Sequence, residues 1–257
     1  MRALISTLLG LCLALVLTGG RALADTEAFT APGDFTATYE LKRAGLTVGQ
    51  ADLRYRRVTE DRYSYRLYTR ATGLARLIYS SRVRERSAGL ITEDGFRPDI
   101  YRYVREGGDD DREAELRFDW DALEVVNDIA EYPWRMDITH DTIDRVISPL
   151  QLMHDLHERD AQTDTLVYRI ADGGRLKTYL LSIEEREVID TPAGRYEALR
   201  IRRRDTDSDR ETVLWCAPAL EYLAVQVEQW EDGSRSARLV LAGLDGLGTE
   251  PVLRADD

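Results

Sequence analysis

Three histidines lie close together in this sequence and are the first residues to consider as metal ligands. His140, His154 and His157 fall within eighteen positions, and the last two are spaced so that one helix face can present both. Asp155 and Glu158 lie beside them. However, no motif supplies a third ligand, and the His-Glu-x-x-His pattern is absent. We therefore predict no metal and no cofactor.

A second acidic pattern resembles the start of a calcium loop. Asp205, Asp207 and Asp209 alternate as the first oxygen ligands of such a loop do. The pattern then fails, because Arg210 stands where a glycine is needed and Cys216 where a glutamate is needed. We interpret this stretch as the polar turn of a β-hairpin.

Nucleophilic catalysis has no recognisable motif here. The chain contains no Gly-x-Ser-x-Gly and no Ser-x-x-Lys sequence, and no phosphate-binding loop follows a strand pattern. Cys216 lies inside a strand pattern with no histidine near it in sequence, which is typical of a small buried hydrophobic residue. We predict no catalytic residue and no enzymatic activity, although residues distant in sequence can still converge in space.

Three arginine-rich segments could bind an anion. They are 54–57, 82–84 and 200–204. Because the chain as a whole carries a formal net charge of −12, we expect these arginines to pair across strands with Asp and Glu on the solvated face. An arginine-lined patch for an acidic ligand is the alternative. The acidic balance argues against a nucleic-acid partner.

Apolar and polar residues alternate along most of the chain, which is the pattern of half-buried β-strands. Phe35, Tyr39 and Leu41, for example, alternate with Thr36 and Glu40. Turn sequences rich in Gly and Asp separate the runs, as in β-hairpins. The predicted strands are 34–43, 48–58, 62–71, 80–90, 97–106, 112–120, 123–129, 164–171, 176–189, 195–204, 211–216, 222–231 and 235–243.

One segment breaks the strand pattern and predicts a helix over 149–159. Ser148 can cap it, Pro149 suits its first turn, and Leu150, Met153 and Leu156 lie near one stripe. A second short helical turn is predicted at 74–79. The predicted fold is mainly β: a large curved antiparallel sheet, half-barrel-like, with one or two short helices packed against it. We predict one domain over 25–257, with a core at about 34–243 and a frayed tail at 244–257.

The aromatic composition suggests what such a sheet could enclose. Four Trp and thirteen Tyr outnumber four Phe, so many aromatic side chains can both pack and hydrogen-bond. A curled sheet tends to leave an apolar hollow, and such hollows bind amphipathic molecules. The candidate ligand-binding residues, assigned to the inward phase of their strands, are Tyr39, Leu116, Phe118, Trp120 and Trp215.

The N-terminus has the three parts of a secretory signal peptide. Arg2 precedes an apolar run over 3–17, and the small-residue site Ala22-Leu23-Ala24 follows. We predict that 1–24 is removed and that the mature chain begins at Asp25 in the periplasm. Apolar residues continue past Cys12, so acylation of that cysteine is not expected. No later apolar run is long enough to anchor the chain in a membrane.

Short motifs along the chain also share an order with a known family. They are Phe35-Thr-Ala-Thr-Tyr39 with Gly45 and Gly49, Ser87-Ala-Gly89, Gly95-Phe-Arg-Pro98, Phe118-Asp-Trp120, Asp144 before Ser148-Pro-Leu150, Thr191-Pro-Ala-Gly194, and Trp215 with Tyr222-Leu-Ala-Val225. Together they resemble the bacterial exported family called domain of unknown function 3108 (DUF3108), over about 34–243. Ala224 departs from the proline usual in that family.

The resemblance implies an exported, β-rich protein without established activity. Its fold is expected to be similar to the curved-sheet carriers that move lipoproteins or lipids across the periplasm. It transfers no catalytic residues to this chain.

Three functional classes follow. We favour a non-catalytic carrier of a lipid-like or amphipathic ligand; the alternatives are a structural protein in cell-envelope assembly with an envelope protein partner, and a hydrolase. A hollow would favour the carrier, tight packing would favour the structural role, and a hydrolase would need a histidine beside a carboxylate in a cleft.

Overall fold

The computed structural model describes residues 31–77, 80–107, 111–127, 129, 133–159 and 163–248. The predicted signal peptide at 1–24 and most of the predicted tail lie outside these residues. The described part forms fifteen β-strands, one α-helix and two short 3₁₀ turns, Gly73–Leu77 and Pro218–Leu220.

The elements follow one another in chain order. They are β1 (Phe35–Arg43), β2 (Leu46–Thr59), β3 (Arg62–Ala71), β4 (Arg82–Thr92), β5 (Gly95–Glu106), β6 (Arg112–Asp119), β7 (Glu124–Asn127), β8 (Trp134–Asp137), β9 (Thr142–Asp144), α1 (Ser148–Glu158), β10 (Thr165–Asp172), β11 (Arg175–Thr191), β12 (Gly194–Asp205), β13 (Glu211–Ala217), β14 (Leu223–Glu231) and β15 (Ser234–Asp245).

All fifteen strands belong to one open sheet. Strands that follow each other in sequence are neighbours, except that β1 pairs with β15 in the middle and β8 and β9 form the two outer edges. Every pairing is antiparallel except that of β9 with β10. The predicted mainly β fold, a large antiparallel sheet with a helix, is confirmed.

The connection between the two edges explains why the sheet is curved. Only residues 138–141 separate β8 from β9, although these strands lie at opposite edges. So short a segment spans less than roughly 20 Å. The sheet must therefore curl until its edges approach, and β9 indeed contacts β5 across the concave face.

Two strands, β8 and β9, were not predicted. They contain four and three residues, and all three residues of β9 are buried. Because neither strand is long enough to show an alternating pattern, periodicity gives no signal there.

Helix α1 begins and ends within one residue of the prediction, but Ser148 does not cap it. Ile147 occupies the N-cap position without a side-chain bond, and Ser148 is the first helical residue. The Asp144 carboxylate instead accepts hydrogen bonds from the backbone N–H groups of Val146 and Ile147, just before the helix, at 2.9 Å each. Pro149 lies in the first turn as expected.

The helix fills one end of the concave face. Leu150, Met153 and Leu156 are almost completely buried, and α1 contacts both β5 and β14. Gln151 fixes it to the β4–β5 turn by accepting from Phe96 N and donating to the Asp94 carbonyl. Within the described ranges, no helix is long and apolar enough to cross a membrane.

Candidate functional site

The concave face has two ends of different character. We call the end covered by α1 and β9 the packed end; its core includes Tyr55, Tyr63, Tyr65 and Phe96, each almost inaccessible to solvent. The opposite end, toward the turns that follow β1, β10, β12 and β14, contains a cavity of about 830 Å³ that is partly open to solvent. We call it the hollow.

Apolar side chains form the floor of the hollow. Leu41 of β1 pairs with Leu239 of β15, which pairs with Val227 of β14, and Leu67 of β3 also lines the cavity. Cross-strand partners lie on the same face of a sheet. These four side chains are only partly buried, because they border the cavity.

Arg203 of β12 provides the most distinctive polar group of the lining. Its guanidinium lies over the ring of Tyr179, 4.8 Å from the ring centroid, and donates to Thr212 Oγ1 at 3.1 Å. Among the described residues, no carboxylate forms an ion pair with it. Burial, together with the positive charge of Arg145, lowers the pKa of Arg203.

The neighbouring arginines of segment 200–204 behave as predicted for solvated pairs. Arg200 and Arg202 both pair with Glu184, and Arg202 and Arg204 pair with Glu211. Arg203 differs because the strand alternation turns it toward the hollow, whereas its neighbours on either side point outward.

A buried carboxylate lies between α1 and the sheet. Asp144 is fully buried, and its Oδ2 accepts from Ser87 Oγ at 2.5 Å; Ser87 is in turn 2.9 Å from the Tyr63 hydroxyl. Burial raises the pKa of Asp144 to about 7, although the hydrogen bonds from Ser87, Ile147 and Val146 oppose this shift.

This Ser–Asp contact is not an accessible nucleophile. Ser87 is fully buried, and its partners are a carboxylate and a phenol rather than a histidine. No substrate can reach it in this conformation, so the contact serves to hold β9 and the start of α1 against β4.

The three histidines considered as metal ligands do not form a common site. His140 and His157 are exposed, while His154 is buried between Asp155 Oδ1 at 2.9 Å and the Glu93 carbonyl at 3.1 Å. Burial lowers the pKa of His154, but the Asp155 contact outweighs it and the pKa is raised. In the described part of the chain, no cluster of three potential ligands occurs.

Cys216 and the acidic turn match their structural interpretations. Burial raises the pKa of the Cys216 thiol to about 12, so it stays protonated at neutral pH. Asp207 and Asp209 lie exposed in the turn between β12 and β13, which pair as a hairpin.

Of the five predicted ligand-binding residues, four lie in the core or at its margin on the concave side, and none lines the hollow. Tyr39 is buried and donates to the Ala224 carbonyl at 2.9 Å. Leu116 and Phe118 are buried, and Trp120 stacks on Phe118 and donates to the Pro98 carbonyl. Their role in ligand binding stays a prediction.

Trp215 lies on the other face of the sheet, which corrects its assignment to the inward phase. Thr212, which lines the hollow, is three positions away in an unbroken register, so Trp215 points to the opposite side. There it donates to Glu187 at 2.9 Å and lies beneath Arg200. Both faces of β13 are buried, so the sequence shows no alternation there.

The sequence pattern identifies the residues that line the hollow less clearly. Leu41 shares the inward phase predicted for Tyr39, and Leu67 shares the phase of the buried Tyr65, but both lie nearer the turns, beyond the cover of α1. Arg203 belonged to a segment interpreted as solvated pairs. Only the position of the helix distinguishes core from lining.

Comparison with known proteins gives a family match and similar solved structures. No curated protein matches it. A Bacteroides fragilis protein with a YmcC-like fold, described as a candidate exported protein, is 12% identical over 85% of this chain and 99% of its own, with a TM-score of 0.30.

Another solved structure has a fold similar to that of this chain. The β-barrel-like protein of domain of unknown function DUF1849 from Brucella abortus is 12% identical, with a TM-score of 0.54 over 86% of this chain and 100% of its own.

The family model described as protein of unknown function DUF3108 matches residues 34–240. The chain therefore belongs to the DUF3108 family.

Proposed function

We propose that this protein is an exported, non-catalytic carrier that holds a lipid-like or amphipathic ligand in the hollow. The observation that supports this most is the cavity itself, about 830 Å³ with an apolar floor. This volume lies within the range of roughly 300–1,000 Å³ that is typical of small-molecule sites, and the charged side chains of the lining accompany the apolar floor.

The energetics suit a reversible carrier. Burial of an acyl chain contributes about 0.8 kcal/mol per methylene, so ten methylenes give roughly 8 kcal/mol. Association costs at least ~4 kcal/mol of this. The remainder corresponds to weak or moderate affinity, which allows the ligand to be released.

Export is the second part of the proposal. Its support is the signal-like N-terminus, with Arg2, the apolar run over 3–17 and the site at Ala22–Ala24. Fractionation of host cells and N-terminal sequencing should find a periplasmic chain beginning at Asp25. An uncut cytoplasmic chain would contradict it.

The carrier is tested by filling the hollow. The mature protein is purified without detergent, extracted with organic solvent for lipid analysis, and titrated with an environment-sensitive acyl probe. Val227→Trp places a large side chain on the floor and should abolish saturable binding. Val167→Trp is the matched control, because Val167 is 48% exposed and does not line the hollow.

Two results would remove the carrier proposal. One is the absence of any extracted lipid together with a probe signal that never saturates. The other is binding that survives Val227→Trp unchanged, since the probe would then occupy another site.

Exposed leucines favour a second candidate, a structural role with an envelope protein partner. Leu46, Leu74 and Leu77 are 71%, 84% and 84% exposed, and the turn that carries the last two packs against the start of β2. If this role is correct, envelope defects in cells should follow Leu74→Ser with Leu77→Ser and should be absent with Val227→Trp.

A further inference from the structure

The strand register divides the hollow into a polar rung and an apolar rung. Across β12, β13 and β14, the polar rung consists of Arg203, Thr212 and Gln229 in successive register, and the small side chain of Ala237 continues it on β15. Two residues further from the turns, Val227 and Leu239 belong to the apolar rung. The rungs are therefore about 7 Å apart.

Arg203 has donors to spare in this rung. A guanidinium carries five N–H donors, and among the described residues only Thr212 Oγ1 accepts from Arg203. Stacking on Tyr179 holds the guanidinium in place. A preformed, planar group of this kind matches the two oxygens of a carboxylate or phosphate.

The acidic groups that act on Arg203, and Glu85 elsewhere in the lining of the hollow, are largely engaged with other partners. Asp172 pairs with Lys177 at 3.0 Å, and Glu85 pairs with Arg145 at 2.8 Å. Asp172 and Asp205 both raise the pKa of Arg203, but neither forms an ion pair with it in the described part of the chain, and Asp205 Oδ1 accepts from the Asp207 backbone N–H. A partly buried cation without an ion pair is costly, and a bound anion would offset that cost.

The lining of the hollow is less acidic than the chain as a whole, which also favours an anionic ligand there. The hollow is lined by six basic and six acidic side chains, whereas the whole chain has 35 basic and 47 acidic residues. An acidic ligand repelled by most of the surface would meet a balanced region here.

The geometry points to an amphipathic ligand with an anionic head group, a carboxylate or a phosphate, held by Arg203 while its acyl chain lies on Leu41, Val227 and Leu239. This inference rests on the proposed carrier function and narrows its ligand class. The head would lie toward the mouth of the hollow and the chain deeper.

The test compares three ligands with the same alkyl chain: myristate, tetradecyl phosphate and tetradecanol. Each ligand is titrated into the mature protein with the acyl probe bound, at ligand concentrations below those at which the ligand aggregates. Its affinity is obtained from the displacement of the probe. A hydrogen bond to a charged group contributes roughly 1.5–3 kcal/mol, so the anions should bind at least about tenfold more tightly than the alcohol. The ratio of the two anions identifies the preferred head group.

Arg203→Gln should abolish that preference and leave the affinity for tetradecanol unchanged, and Arg203→Lys should keep part of it. Arg202→Gln is the control, because Arg202 points to the outer face of the sheet, where it pairs with Glu184 and Glu211; it should keep the full preference. Thermal unfolding of each variant verifies that it is folded.

The outcomes separate the two proposals. Equal binding of myristate and tetradecanol would overturn the anionic head group and leave the carrier intact. Loss of the preference in Arg202→Gln as well would overturn Arg203 as its cause. If none of the three ligands displaces the probe, or the probe itself does not bind, the carrier function fails and this inference fails with it.

Discussion

The two ends of the concave face are built from the same strands with the same alternation, yet one is packed and the other is hollow. At the packed end, Leu150, Met153 and Leu156 of α1 cover the sheet. At the hollow, Leu67 and Leu239 have no such cover and are only partly buried.

The difference shows that the position of the crossing segment decides where this fold has a core. The connection from β8 to β9, followed by α1, passes over one end of the curled sheet only. Asp144 anchors it there through Ser87 and through the N–H groups of Val146 and Ile147. The uncovered end therefore contains a cavity where the covered end has a helix.

The largest expected difference between the two ends is in the free energy of unfolding lost when one leucine is truncated at each end. Leu150→Ala should lower the free energy of unfolding by about 2–5 kcal/mol, because it leaves a cavity in a packed core. Leu67→Ala should cost about 1 kcal/mol or less, since its side chain already borders empty space. Urea unfolding measures both. Equal losses would mean that the hollow is as well packed as the core.

The next prediction concerns pH and the anchor of the packed end. The pKa of Asp144 is about 7 in the folded protein, against about 3.9 in an unfolded chain. The folded state thus prefers the neutral carboxyl, whose stabilisation is complete below pH ~4 and is lost as the pH rises through 7.

Asp144→Asn cannot ionise, so the wild type should lose stability relative to this variant by on the order of 1 kcal/mol per pH unit between pH ~5 and 7. His154, whose pKa is also raised, is common to both proteins and cancels in the difference.

Asp141→Asn is the matched control for this pH effect. Partial burial raises the pKa of Asp141, but Thr139 and Arg169 outweigh it and the pKa is lowered. This variant should therefore follow the wild type across the same range. Parallel pH profiles for the wild type and Asp144→Asn would show that Asp144 is ionised throughout, contrary to the proposed environment.

The smallest expected effect lies outside both ends. Leu74→Ser with Leu77→Ser should change the free energy of unfolding by less than about 0.5 kcal/mol, because both side chains are 84% exposed. A larger loss, measured by the same urea titration, would mean that these leucines pack in the folded monomer and are not available to a partner.

The sequence predicts the strands well but not the division of the concave face. Long alternating runs such as β1 and β3 reveal which residues point inward, and Pro149 with the apolar stripe that follows it reveals α1. Which inward residues the helix covers depends on a crossing between distant strands, for which local patterns give no signal. Phe118 and Trp120 therefore could not be distinguished in advance from Leu67 and Val227.

Methyl NMR of the mature protein during titration with myristate tests the two-end account most directly. We expect saturable shifts for Leu41, Leu67, Val227 and Leu239, which line the hollow, and little change for Leu150 and Leu156, which are buried under α1. Shifts concentrated on Leu150 and Leu156, or no saturable shift at any methyl group, would contradict the assignment of the hollow as the ligand site.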